Sequence, residues 1–345
     1  MTTTERNIHL ALLGASLALA VWVFAAPPPA DEPATPRAAH ALTSDQRSPL
    51  ALIPPGSAFV LSADARALAR APLGGFILER IARSAGPSQL AKVCGFEPLT
   101  RLEQLALAVP SADLAAQEHP EDFGIVASGR FTAAEITRCA KAAIAARGGD
   151  AIQTKLGSFE SVRDRRASSG EIASKDGLVV VSGGSYFREL LDSAEGHAAP
   201  RQNEANAALH AELRAALGSG QLLVTWLLGE GWFARVAGDE SNARLSPLSA
   251  LKTLAARVAV ADRAELRVLL DCADSEGASR VASLLGELRS SLRALPLDPA
   301  LATLATRVSV VQTGPRLTLT LELNQAELAP VLDALLDPSA TKSEP

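Results

Sequence analysis

Histidine and cysteine are the residues of this chain best suited to chemistry, and their spacing points away from most of it. The five histidines are His9, His40, His119, His197 and His210. No two stand three or four residues apart, the spacing that would put a ligand pair on one helix face. No GxSxG elbow is present, and a Ser-His-Asp or Cys-His nucleophile lacks a well-placed base. Glu118-His119, followed by Pro120 and Glu121-Asp122, offers a polar loop to a cation, but reads first as a solvated loop. Ser182-Gly-Gly-Ser-Tyr186 lies between a strand and a helix, where backbone N–H groups can cradle an anion. It lacks the lysine of a P-loop and the spacing of GxGxxG, so turn formation explains it better. The pairs Glu121-Asp122 and Asp239-Glu240 read as solubilising loop residues.

The three cysteines carry more information. Cys94 sits in the turn-like Val93-Cys-Gly-Phe-Glu-Pro-Leu99, Cys139 on an apolar helix face, and Cys272 at a strand end. No CxxC or CxxH spacing accompanies them, which makes them a poor zinc site. In an oxidising compartment Cys94 and Cys139 are expected to bridge, with Cys272 left as a buried thiol. The alternative is three buried free cysteines behaving as small hydrophobes. Trp226, Trp232 and Phe233 are the one aromatic concentration. Core packing is their default role. A pocket is the other: Trp226 as its wall, Trp232 over its mouth through Gly229-Glu-Gly231, and Tyr186 nearby.

Compartment follows from the first fifty residues. Ile8–Ala26 is an unbroken apolar run behind Arg6, followed by Pro27-Pro28-Pro29. At 1.5 Å per residue it reaches about 28 Å, close to the ~30 Å hydrocarbon layer. A membrane anchor is therefore possible. Cleavage between Ala25 and Ala26 is favoured, because Val23 and Ala25 supply the residues a signal peptidase reads. Residues 27–50 are a Pro/Ala-rich tether without apolar periodicity, and 338–345 form a similar tail. The expected location is the periplasm or cell envelope, with membrane contact only through residues 8–26 if uncleaved.

The elements between tether and tail read as an α+β protein of two related β-α-β-β-α-β-β-α units, mainly antiparallel sheet with helices packed on one face. The first unit spans 51–198 and the second 220–337, joined by a helix within 199–219. In the first, strands at Ala58–Ser62, Leu105–Val109 and Phe123–Ala127 precede Thr132-Ala-Ala-Glu135, a capping box. Behind it Ile136, Cys139, Ala140, Ala143 and Ile144 share one helical face. Asp176-Gly177 between Glu171–Lys175 and Leu178–Ser182 is the strongest hairpin signal. In the second, strands at Gln221–Leu228, Ala255–Val260 and Glu265–Asp271 precede a helix capped at Asp274 or Ser275. Val308–Gln312 and Leu317–Leu323 then form a hairpin, and Asn324 with Glu327 caps the last helix. Arg163, Arg165 and Arg166 around Asp164 read as a solvated hairpin or loop.

Leu52-Ile-Pro-Pro55, Cys94-Gly-Phe-Glu-Pro-Leu99 and Gly129-Arg-Phe131, with Cys139 downstream, resemble uncharacterised exported proteins of myxobacterial type over roughly residues 50–190. The resemblance implies export and supports the Cys94–Cys139 pair. It supplies no active site.

Composition narrows the function classes. Net charge is −5 and aromatics make up 4% of the chain. Nucleic acid is not expected as a partner, since its binding needs a concentrated basic face. Scarce aromatics also weaken a sugar-binding reading. The expected function is a non-catalytic binding or structural role in the envelope, with an envelope protein as partner and no cofactor or metal. Two alternatives stand: a carrier of a small apolar ligand in a cleft between the units, and, last, a hydrolase of unrecognised type.

Overall fold

The computed structural model describes residues 48–83, 85–97, 99–110, 123–166, 170–184, 186–196, 204–237, 243–294, 304 and 307–336. The leader, the tether through residue 47, the C-terminal tail, Glu118-His119, His197, Glu121-Asp122 and Asp239-Glu240 lie outside the described residues. The expected tether ends early, since Pro49–Leu52 forms a short 3-10 helix with Pro49 and Leu52 buried.

One 12-stranded antiparallel sheet forms the centre. Its strands are β1 (Phe59–Asp64), β2 (Leu102–Val109), β3 (Gly124–Gly129), β4 (Ala151–Leu156), β5 (Phe159–Asp164), β6 (Glu171–Lys175) and β7 (Leu178–Ser182), then β8 (Leu222–Leu227), β9 (Leu251–Val260), β10 (Ala264–Cys272), β11 (Ser309–Thr313) and β12 (Arg316–Leu323). The helices are α1 (Ala65–Arg70), α2 (Gly74–Arg83), α3 (Ala85–Cys94), α4 (Ala133–Ala146), α5 (Tyr186–Glu195), α6 (Glu204–Leu217), α7 (Trp232–Ala237), α8 (Ser275–Ala294) and α9 (Gln325–Leu336). The antiparallel α+β reading therefore holds.

The spatial order is β11-β12-β10-β9-β8-β1-β2-β3-β7-β6-β5-β4. Counting outward from the β1–β8 seam, each side runs through three strands in chain order and then a hairpin entered by its second arm. Both sides thus follow one pattern for five strands. The first side carries one element more, the β4–β5 hairpin, which the expected unit order left out. β5 holds Arg163 and β4 is a polar edge strand, so neither shows a clean apolar alternation. The basic cluster closes this hairpin: Arg165 pairs with Asp150 at 3.0 Å and Arg166 donates to the Gly148 carbonyl at 3.1 Å.

Local chemistry sets the helix starts. Thr132 Oγ1 accepts from the Glu135 N–H at 3.2 Å while Glu135 accepts from the Thr132 N–H at 2.9 Å. Asn324 and Glu327 repeat that exchange at 3.1 and 2.9 Å. Asp274, rather than Ser275, caps α8 by accepting from the Gly277 N–H at 2.6 Å. Each such cap contributes about 1 kcal/mol. The two hairpin turns place Gly177 and Gly314 at φ 79° and 58°, where a side chain is strained.

Strand alternation then divides the core. Leu61, Ala63, Leu105 and Leu107 face α1, α2 and α9, in one cluster with Leu78, Ile81, Leu328 and Leu332. The register carries this side outward to Val162 under α4 and to Leu317 under α8. Val60, Ala108, Val126 and Val180 point the other way, against Tyr186, Phe187 and Leu190 of α5. Leu213 and Leu217 of α6 cover Leu227, Ala255 and Leu269 on that same side. Helices thus pack on both faces, a correction to the expected single layer. β3 and β7 are apolar on both faces, and burying the second face requires α5. At Gly124 the approach is so close that a Cβ would collide with Leu190 and Tyr186.

Candidate functional site

Cys94, at the end of α3, and Cys139, on α4, form a disulfide with Cα atoms 4.2 Å apart, across 45 residues of chain. It fixes the C-terminal end of α3 onto α4. Closing a loop of this length is worth up to about 4 kcal/mol in the chain-entropy account. Cys272 is free and buried, and burial, with Asp271 and Asp274 nearby, raises its thiol pKa. That state suits an inert core thiol.

The aromatic residues gather at one end of the sheet. Cross-strand pairing sets Phe59 beside Trp226, with ring centroids 6.1 Å apart and edge-on. Trp226 lies 6.5 Å from Trp232, and Trp232 lies 5.7 Å from Phe233. Trp232 enters through a turn in which Gly231 has φ 67°, and its indole N–H donates to the Leu251 carbonyl at 3.0 Å. All four rings are half-buried. Phe59 is the member that sequence reasoning missed. It belongs to a distant strand, and only the β1–β8 register brings it in.

Tyr186 is elsewhere. It lies on α5, 3% exposed, on the opposite face from Trp226. The structure therefore brings Trp226, Trp232 and Phe233 together and leaves Tyr186 out. The two halves meet at this point through the hydrogen-bonded β1–β8 seam.

Tyr186 belongs instead to a buried polar network. Its hydroxyl bonds Ser57 Oγ, which donates to the Pro54 carbonyl at 2.7 Å. His210 Nε2 contacts the Ser57 carbonyl at 2.9 Å, and Nδ1 contacts Thr225 Oγ1 at 2.7 Å. A carbonyl can only accept, so Nε2 carries the proton and Nδ1 accepts from threonine. Asn206 Nδ2 donates to the Gly56 carbonyl at 3.1 Å. Two helices thus clamp the segment Pro54–Ser57 where the chain enters β1. Burial lowers the His210 pKa; the hydrogen bond to the Ser57 carbonyl opposes this and Arg214 adds to it. Burial also raises the Tyr186 pKa above the ordinary phenol range. Ser57, Thr225 and His210 are at most 3% exposed. The arrangement ties α5, α6 and the start of β1 together through buried polar groups. Asn206, His210, Leu213 and Leu217 fall at i, i+4, i+7 and i+11 in an Ala-rich helix. That stripe was the available signal for a buried histidine.

The other candidates are also structural. The Gly183 N–H donates to the Phe123 carbonyl at 3.3 Å, and Ser182 Oγ bonds the same oxygen. The glycine-rich stretch thus serves β-sheet closure. Among the described residues, no group of three His, Cys, Asp or Glu side chains is placed to hold a metal ion. No helix among them is long and apolar enough to cross a membrane.

No family model and no curated protein matches the chain. Among solved structures, crystal form I of TP0453, a Treponema protein, matches over 84% of this chain and 97% of that one, with a TM-score of 0.39 and 12% identity. A likeness at that level transfers neither a site nor an activity.

Proposed function

We propose that the chain is an exported protein of the cell envelope with a non-catalytic binding or structural role. The observation that carries this reading is the Cys94–Cys139 disulfide, which joins two helices of a domain that follows an apolar leader and a proline-rich tether. Cytosolic thiol buffers keep such pairs reduced, whereas the periplasm oxidises them. The resemblance of residues 50–190 to exported proteins of myxobacterial type belongs to the same reading. The residues with chemical potential have structural partners: His210 and Ser57 join α6 to the start of β1, and Gly183 closes the sheet.

In this role the sheet is a rigid platform presented beyond the tether. Its half-buried aromatic end at Phe59, Trp226, Trp232 and Phe233 supplies apolar contact area with fixed geometry. Aromatic residues of that kind dominate binding energy at protein interfaces. A small apolar ligand lodged on the same rings is the second reading, favoured by their mutual packing.

Gentle purification of the full-length protein from its native envelope, followed by non-reducing mass spectrometry, tests the proposal. The expected result is an envelope fraction, a chain two cysteine protons lighter than the reduced form, and a stoichiometric protein partner. A co-purifying small molecule without protein would shift the role to a carrier. A reduced chain recovered from the cytoplasm would defeat the export reading altogether.

A further inference from the structure

The two ends of the sheet are built differently, although the strand order leading to them is the same. On the first side the hairpin β6–β7 closes with the pair Lys175 and Leu178; on the second side β11–β12 closes with Thr313 and Arg316. Counting back from those closures, Ala173 stands where Val311 stands, and Ile172 where Val310 stands. Beyond β6 lies β5, paired antiparallel over Glu160–Arg163. Among the described residues nothing pairs with the outer edge of β11.

Burial follows from that difference. Ala173 is 0% exposed, in one cluster with Phe159 of β5, whereas Val311 is 57% exposed. Ile172 packs with Val162 of β5 against Ala140 and Ile144 of α4. Val310, on the side facing α8, is 37% exposed. All five residues of β11 are exposed. Ser309-Val-Val-Gln-Thr313 contains no charge and no proline, the two devices that usually guard an edge. The opposite end of the sheet is guarded: β4 exposes Gln153, Thr154 and Lys155. The flanking charges near β11 are already engaged, Arg307 with Glu327 and Arg316 with Asp271.

From this we infer that the outer edge of β11 is a strand-addition site, occupied by an extended segment of a partner protein that runs antiparallel to it. The occupant's chemistry is read from β5, which fills the corresponding place on the first side. It carries apolar side chains on both faces at alternate positions, one over Val311 and Thr313 as Phe159 lies by Ala173, another beside Val310 as Val162 lies by Ile172. Backbone hydrogen bonds supply affinity, and these side chains supply selection. The inference rests on the binding role proposed above and names its surface and its kind of partner.

The chain contains its own probe. A synthetic hairpin of residues 150–166, which carries β4 and β5, is titrated into the purified, oxidised full-length protein, with backbone amide exchange read by mass spectrometry. The expected result is slowed exchange in 309–313, with affinity weakened about tenfold or more in Val311→Lys and unchanged in Thr154→Lys. Val311 is exposed, so the lysine leaves the fold intact. Absence of protection in 309–313 at millimolar hairpin overturns the site. Outward-facing amides of 309–313, those not bonded to β12, that are already slow in the protein alone overturn the partner: a second copy occupies the edge if the slowing grows with concentration, and the chain itself covers it if it does not. None of these results depends on compartment, and the oxidation state found in the envelope does not depend on the hairpin.

Discussion

The two sides of the seam carry the same five-strand order and are finished in opposite ways. Outward from β1, the sheet is enclosed between α4 and α5, stapled by Cys94–Cys139, and closed at its edge by β4–β5. Outward from β8, α6 covers β8 and β9, but α9 packs with the Leu61 and Leu105 cluster on the other face. Thr318, Thr320 and Val311 consequently share a face that none of the hydrophobic clusters covers. The difference teaches that strand order alone does not fix exposure. One hairpin and the choice of face by one terminal helix decide whether equivalent positions are core or surface.

Phe159 and Val311 break the comparison most directly. Phe159→Ala should cost about 3–5 kcal/mol in urea unfolding, because it empties a fully enclosed site. Equal tolerance at both positions would mean the two edges are alike. Next comes the staple. Cys94→Ser with Cys139→Ser should lower stability by about 2–4 kcal/mol and accelerate amide exchange in α3 and α4 while leaving β9–β12 unchanged. A uniform acceleration across the sheet would instead mark the two sides as one cooperative unit.

His210 sits between the two sides, and its removal comes next in size. His210→Ala should cost about 2 kcal/mol, because the Ser57 carbonyl and Thr225 lose their shortest partner and keep only longer contacts to Asn206 and the Val60 carbonyl. The wild type should also lose stability on acidification. The folded pKa lies below the unfolded value of 6.5, so the unfolded chain takes up the proton first. Stability from this group is full above pH 6.5 and falls as the pH drops through the folded value. Unfolding curves at stepped pH should show that slope, and His210→Gln should flatten it. The smallest effect is expected at Val311→Ala, within about 0.5 kcal/mol of wild type.

Much of the fold was legible in sequence because short-range chemistry specified it. The Thr132–Glu135 and Asn324–Glu327 boxes, the Asp176-Gly177 turn and the alternation of Leu317, Leu319, Leu321 and Leu323 each act within a few residues. The α+β class followed from their order. Three features were not legible, each for a tertiary reason. β4 and β5 pack beneath α4 despite polar side chains, so the hairpin alternative at Arg163 holds, but its two strands gave no apolar alternation by which to place them. The placement of α5 depends on both faces of β3 and β7 being apolar, which short strands do not announce. The union of Phe59 with Trp226 depends on register across the β1–β8 seam. The same register separates Tyr186 from the tryptophans. Of the candidate residues, the cysteine pair was readable from compartment and burial, whereas the β11 edge, unpaired among the described residues, emerged only when its counterpart β6 was found covered.

Native-state amide exchange on the oxidised, full-length protein tests the central claim, that one side is closed and the other open. Residues 171–175 of β6 should exchange near the rate of global unfolding, and the outward-facing amides of 309–313 should exchange orders of magnitude faster. Comparable protection of both strands in the isolated, dilute chain would contradict it.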